Sequence, residues 1–158
     1  MQLQKQQANH KENTMQIKEI MTKEPSFVSP NDTINQAAQK MKKIDCGVLP
    51  VGDDKEHCIG MITDRDIVLR VLANGDDPKQ AKVKEAMTKE VHYCQEEDDI
   101  DKAGELMRKH KVNRLLVKNK SGNVTGIITF GAMLWKTENA SEVGHMLDHA
   151  APRKIAAA

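Results

Sequence analysis

Apolar residues along this chain follow two rhythms. At Gly47–Val51 and Cys58–Thr63 they run on without a break, and the polar stretch Gly52–His57 separates the two runs. Short continuous apolar runs flanking a polar turn predict a hairpin of buried strands. Upstream, Ile34, Ala37, Ala38, Met41 and Ile44 fall at i, i+3, i+4, i+7 and i+10. That spacing predicts a helix with one buried stripe, started by the polar stretch Ser29–Asp32. Downstream, Arg65–Ala73 carries Ile67, Val68, Val71 and Leu72 on one face and predicts a second helix. With the extended pair Phe27-Val28 in front, the unit reads β-α-β-β-α.

The same unit is written twice. Ile17-Lys18-Glu19-Ile20-Met21-Thr22-Lys23-Glu24 recurs as Val83-Lys84-Glu85-Ala86-Met87-Thr88-Lys89-Glu90. Without a gap, the register continues through Ile34/Ile100, Met41/Met107, Leu49/Leu115 and Val51/Val117. It reaches Gly60-x-Ile62-Thr63 against Gly126-x-Ile128-Thr129. In the second copy Tyr93-Cys94 is the extended pair and Gln95–Asp99 precedes the helix. A repeat of this kind signals one supersecondary unit used more than once. Helices on one side of a small sheet leave its other face bare, and a second copy would cover it. The division expected is a polar tail over residues 1–14, repeat one over 15–75 and a linker over 76–82. Repeat two then covers 83–138, and a short helix and tail cover 139–158.

Composition narrows the function. The 158 residues hold 24 Lys plus Arg against 23 Asp plus Glu, a net charge of +1, which supplies no field for nucleic acid or anionic lipid. Phe27, Tyr93, Phe130 and Trp135 are too few aromatics for a base-stacking platform. No apolar run approaches the ~20 residues of a membrane span. Residues 1–13 lack the apolar stretch of an export signal, and Cys46, Cys58 and Cys94 do not make a disulfide framework. A cytoplasmic setting is expected, with neither membrane nor nucleic acid as partner.

The duplicated openings, the strand Cys46-Gly47-Val48-Leu49-Pro50-Val51 and the run Gly60-Met61-Ile62-Thr63-Asp64-Arg65-Asp66-Ile67-Val68 resemble the cystathionine-β-synthase (CBS) domain. Two in tandem resemble a Bateman module, over roughly Met15 to Lys136. The resemblance implies an α/β (α+β) fold of two repeats packed sheet to sheet about a pseudo-twofold axis, leaving two clefts. It also implies a regulatory ligand of the adenine-nucleotide type (AMP, ADP or ATP), no covalent cofactor, homodimerisation, and an effector protein that the chain does not identify.

Thr63 ends a strand and Asp66 lies in the first turn of the following helix. A carboxylate there has acceptor sites for both hydroxyls of a ribose, and a helix start suits phosphate, with Arg65 close by. The plain alternative is a T-x-x-D cap that only starts the helix. The second copy keeps Thr129 but has Ala132 in place of Asp66, so the cleft on Thr63/Asp66 is expected to bind and its twin to bind weakly or not at all. By the resemblance, the base would be lined from the other repeat by Thr88, His92, Val112 and Asn113, with Arg114, and less so Lys111, adding positive charge. The plain reading of those two cations is a solvated hairpin.

Other chemistry is weaker. Each cysteine aligns with a valine of the other copy (Cys46/Val112, Cys58/Val124, Cys94/Val28), as suits a small buried hydrophobe, so no metal is expected through them. His145 and His149 stand at i, i+4 but without the Glu of a zinc-protease motif. Neither a nucleophile elbow nor a phosphate-loop lysine is present, and no catalytic residue is expected. Leu69, Leu72 and Trp135 are candidates for the dimer surface. A ligand sensor is the leading reading; a structural dimerisation module with vestigial clefts is the alternative.

Overall fold

The computed structural model describes residues 15–136. In order along the chain these form α1 (Ile17–Ile20), β1 (Thr22–Lys23), α2 (Ile34–Ile44), β2 (Val48–Gly52), β3 (Cys58–Thr63) and α3 (Asp64–Ile67). A π-helical turn (Val68–Leu72) continues α3. The second half holds α4 (Val83–Ala86), β4 (Tyr93–Gln95), α5 (Ile100–His110), β5 (Arg114–Lys118), β6 (Val124–Thr129) and α6 (Phe130–Lys136). The predicted hairpin is β2–β3, antiparallel with Leu49 opposite Ile62. Both long helices start on a side-chain cap: Thr33, one residue beyond the polar stretch that was expected to start α2, accepts from the Gln36 amide, and Asp99 accepts from Lys102. Both stop on a left-handed residue that is not glycine, Asp45 and Lys111, at matching positions of the repeat. Lys111 is thus a helix stop.

The described residues divide into two compact units. One is made of Glu24–Val91 with Asn119–Thr125; the other of the segment ending at Lys23, His92–Lys118 and the residues from Gly126. These boundaries cut across the repeats, because each opening segment belongs to the unit built by the other copy. In the first unit Val83 and Ala86 of α4 join a core with Val28, Ile34, Leu49, Ile62 and Val71. In the second, Ile17 and Ile20 of α1 join Cys94, Ile100, Met107, Leu115 and Ile128.

Backbone hydrogen bonds fix the exchange. A helix N-terminus leaves amides without intrahelical partners. Those of α2 find the stretch expected as a linker: Ile34 N–H donates to Ala81 O (2.9 Å) and Asn35 N–H to Pro78 O (2.8 Å). Equivalently, the Ile100 N–H at the start of α5 donates to Met15 O (3.1 Å). The segments then run on as edge strands. Thr22 pairs opposite Ile127 in the four-stranded sheet β1-β6-β5-β4, and Thr88 bridges Met61 of β3. Val28 bridges Val51 in parallel, as Cys94 pairs with Val117.

These crossings explain the repeated glycine of Gly-x-Ile-Thr. A Cβ on Gly60 would lie 2.6 Å from the Thr88 carbonyl oxygen, and one on Gly126 would run into the Met21 sulfur. Hydrogen is the largest substituent these positions admit while the incoming strand lies against them.

Three expectations are corrected. The α2 stripe is narrower than its periodicity suggests: Ile34, Ala37 and Met41 are buried, but Ala38 and Ile44 are exposed. Along the helix after β3, the Ala73 N–H reaches back five residues to Val68 O (2.9 Å). Along this stretch Ile67 and Val71 are buried, but Val68, Leu69 and Leu72 face out, each about half exposed. Of the cysteines only Cys94 is buried; Cys46 and Cys58 are half-buried, their thiols donating to Val48 O and Gly60 O. Burial pushes the Cys94 thiol up to about 12. The expected tail over 1–14, the C-terminal helix, His145 and His149 lie outside the described residues.

Candidate functional site

β3 delivers Thr63 to the point where the sheet ends and α3 begins. There Thr63 and Asp66 form a reciprocal cap. The Asp66 N–H donates to Thr63 Oγ1 (3.1 Å), while the Thr63 N–H and hydroxyl both donate to Asp66 Oδ2 (2.9 Å each). Among the described residues, Thr63 and Asp66 are the buried polar ones, at 8% and 9% exposure. The capping reading of T-x-x-D is therefore realised in the fold. In the second copy Thr129 Oγ1 accepts from the Ala132 N–H at 3.1 Å, so the threonine half of the cap is kept without any acid. The helix start needs the threonine; the buried carboxylate is an addition that one copy makes and the other omits.

The other oxygen of that carboxylate leads to a residue absent from the sequence-based candidates. Arg70 Nη2 stands 3.4 Å from Asp66 Oδ1. Its Nη1 donates to the Ala86 carbonyl (2.8 Å) and to Thr88 Oγ1 (3.2 Å). Thr88 is held by both backbone bonds of its bridge to Met61, at 2.9 and 2.8 Å. Thr63, Asp66, Arg70 and Thr88 thus form one connected polar cluster within a single unit. Arg65, one residue before Asp66, is exposed, and its backbone N–H donates to Asp64 Oδ1 (2.8 Å). Arg70 also lines an open groove of about 490 Å³ with Asp76, Asp77 and Glu85 in its wall.

The remaining predicted residues belong to the other compact unit. His92 stacks on His110, with ring centroids 3.7 Å apart and planes 18° from parallel, and its carbonyl accepts from Leu116 N–H (3.1 Å). Val112 packs against the core of that unit. The Asn113 carbonyl accepts from the Phe130 N–H at 3.0 Å, just as Gly47 accepts from Asp64 in the first copy. Arg114 opens β5, half-buried. Among the described residues, no three His, Cys, Asp or Glu side chains are grouped to hold a metal ion, and no helix is long and apolar enough to cross a membrane. On the exposed hairpin turn, the hydrogen bond between the His57 ring and the Asp54 carboxylate raises the pKa of His57 and lowers that of Asp54.

The family model of the CBS domain matches residues 17–73 and 83–135, and the chain belongs to the CBS-domain family, as a tandem pair. It is 33% identical over 139 residues to the CBS domain-containing protein YhcV of Bacillus subtilis, covering 88% of this chain and 97% of that one. Among solved structures, Hypoxic Response Protein I with two coordinated zinc ions is similar at 31% identity and a TM-score of 0.66, over 78% of this chain and 99% of that one. The CBS domain pair of MJ0100, solved in complex with 5′-methylthioadenosine and S-adenosyl-L-methionine, shares the fold at 24% identity and a TM-score of 0.66, over 86% and 98% of the two chains. Pairs of this family commonly bind adenosine ligands.

Proposed function

We propose that this chain is a non-catalytic, regulatory sensor of adenine nucleotides (AMP, ADP or ATP), with one main site built on Thr63 and Asp66. The observation that carries this reading is Asp66 itself. It is a buried carboxylate beyond what the helix cap needs, present in one copy and replaced by Ala132 in the other. Burying a carboxylate is costly unless it is well supplied with donors. A pair of ribose hydroxyls is a fitting further donor set for it. The adenosyl compounds bound by MJ0100 support the same ligand class. In this reading Arg65 and Arg114 serve phosphate, and Thr88, His92, Val112 and Asn113 serve the base, with His92 already stiffened by its stack on His110. The cleft on Thr129/Ala132 binds weakly or stays empty. Binding biases two states of the pair, and an effector protein reads the difference.

We also read the protein as a cytoplasmic homodimer. Val68, Leu69 and Leu72, each about half exposed along the π-helical turn, give one apolar face that a second copy would cover. The hexameric CBS-CP12 protein is an assembled relative.

Thermal denaturation with each nucleotide tests the main reading. Ligand at a hundred times its Kd adds about 2.7 kcal/mol to the folded state. The melting temperature of the wild type should rise with AMP, ADP or ATP. Asp66→Ala should lose that rise, and Thr129→Ala should keep it. Absence of any shift in the wild type, or a full shift in Asp66→Ala, removes the reading.

A further inference from the structure

We propose that Arg70 is the positioning residue of the Asp66 site: its guanidinium ties the ligand-facing carboxylate to the segment Ala86–Thr88 and so couples occupancy of the site to the seating of that segment. The proposal rests on the nucleotide reading above for its ligand, but the tie itself is present in the ligand-free chain.

Three observations carry it. The first is the fork. One guanidinium nitrogen serves Asp66 Oδ1 (3.4 Å), while the other serves the Ala86 carbonyl (2.8 Å) and the Thr88 hydroxyl (3.2 Å). Arginine presents several donors in one rigid plane, so moving either partner moves the other. The second is direction. Arg70 donates to Thr88 Oγ1, occupying a lone pair of a hydroxyl that keeps its own proton for another acceptor. Asp66 has both acceptor sites of Oδ2 engaged by the Thr63 N–H and hydroxyl, while its Oδ1, oriented by Arg70, has acceptor capacity left. The cluster therefore offers a ligand an aligned acceptor and an aligned donor.

The third is the comparison between copies. Thr63, Asp66, Arg70 and Thr88 match Thr129, Ala132, Lys136 and Thr22 in the repeat register. Both threonines are kept, while the acid and the fork change together. A lysine is a single point charge and does not join two partners as a guanidinium does. A role confined to holding the opening segment would be needed in both copies; a role tied to the carboxylate is needed only where the carboxylate stands.

The site also sits where its state is readily passed on. Arg70 lies inside the π-helical turn whose Val68, Leu69 and Leu72 face outward. π-turns of this kind are common at functional positions. Displacing the guanidinium changes a helix that carries an exposed apolar face.

Hydrogen exchange and nucleotide titration on the full chain test this together. In the ligand-free protein, Arg70→Ala should speed exchange of the Met61 and Thr88 amides by about ten-fold, with amides of α5 unchanged. In titrations with AMP, ADP and ATP it should weaken binding by about ten-fold. Arg70→Lys should recover less than half of that loss on a logarithmic scale. Unchanged exchange at Met61 and Thr88 overturns the tie. Wild-type affinity in Arg70→Ala overturns its role in binding. If the wild type binds none of the three nucleotides, the nucleotide reading falls, while the exchange comparison still decides the tie.

Discussion

Replacing Gly60 by alanine adds one methyl group at the point where β3 meets the segment arriving from the other copy. Gly60 does not adopt a positive φ, so alanine brings no backbone strain and even restrains the unfolded chain by about 0.4–1 kcal/mol. The cost is all in the contact. The new Cβ would lie 2.6 Å from the Thr88 carbonyl oxygen, and backbone cannot swing aside as a side chain can. Relief means parting the two hydrogen bonds between Met61 and Thr88, at 2.9 and 2.8 Å. At about 1 kcal/mol each they come to about 2 kcal/mol, and overpacking adds about 1–3. The expected net loss is about 3 kcal/mol. Gly126→Ala is its internal control. There the nearest atom is the sulfur of Met21, the end of a flexible side chain, and the Thr22 carbonyl stands farther off at 3.1 Å. Its loss should be about 1–2 kcal/mol. Urea denaturation of both variants beside the wild type measures the difference. If Gly60→Ala proves as stable as Gly126→Ala, close backbone approach is not the reason for the glycine.

Other predictions concern the core and the outer face. Burial lifts the Cys94 thiol from 9.0 to about 12, so the folded protein holds a proton that the unfolded chain releases above pH 9. This stabilisation is complete below pH 9 and fades as the pH rises toward 12, by up to about 4 kcal/mol. Cys94→Val, the residue of the matching position 28, should leave stability below pH 9 nearly unchanged and flatten the alkaline decline in urea titrations. In the native wild type at pH 8, a thiol reagent should modify Cys46 and Cys58 and leave Cys94 until denaturant is added. If the chain dimerises as proposed, Leu72→Glu should yield a monomer in sedimentation experiments with little change in secondary structure; a wild type that sediments as a monomer removes the dimer reading, and a variant that stays dimeric moves the interface away from the π-helical turn.

Much of this structure was legible because the chain states it twice. The hairpin of continuous apolar runs, the long helices and the extended pieces at Val28 and Cys94 all follow from local pattern. Pattern does not say which copy an opening segment joins. Ile17 and Val83 have the same periodicity wherever they are buried, and only the carbonyls of Met15 and Ala81 reveal the exchange. Similarly, Ile67, Val68, Val71 and Leu72 read as one stripe, but at about 100° per residue Val68 and Leu72 stand at its edge, and pattern does not say how wide a face the core covers. For the site, Thr63 and Asp66 were visible as a motif with an asymmetric partner. Arg70 was missed because an arginine on an amphipathic helix reads as solvent-facing. The signal that would have found it is the joint change of Asp66 and Arg70 to Ala132 and Lys136.

The exchange of opening segments also orders the birth of the molecule. A chain made from its N-terminus has every apolar residue of the Val28–Met87 core in hand once α4 has left the ribosome. The helix and strands that pack against α1 are not yet synthesised, so Ile17 and Ile20 wait through more than half the chain before Ile100, Leu115 and Ile128 arrive to receive them. Domains tend to fold as units during synthesis, and long-range contacts close late. α1 therefore emerges before that core yet finds its place after it, and a ribosome stalled midway would display the closed core beside an unclaimed hydrophobic segment.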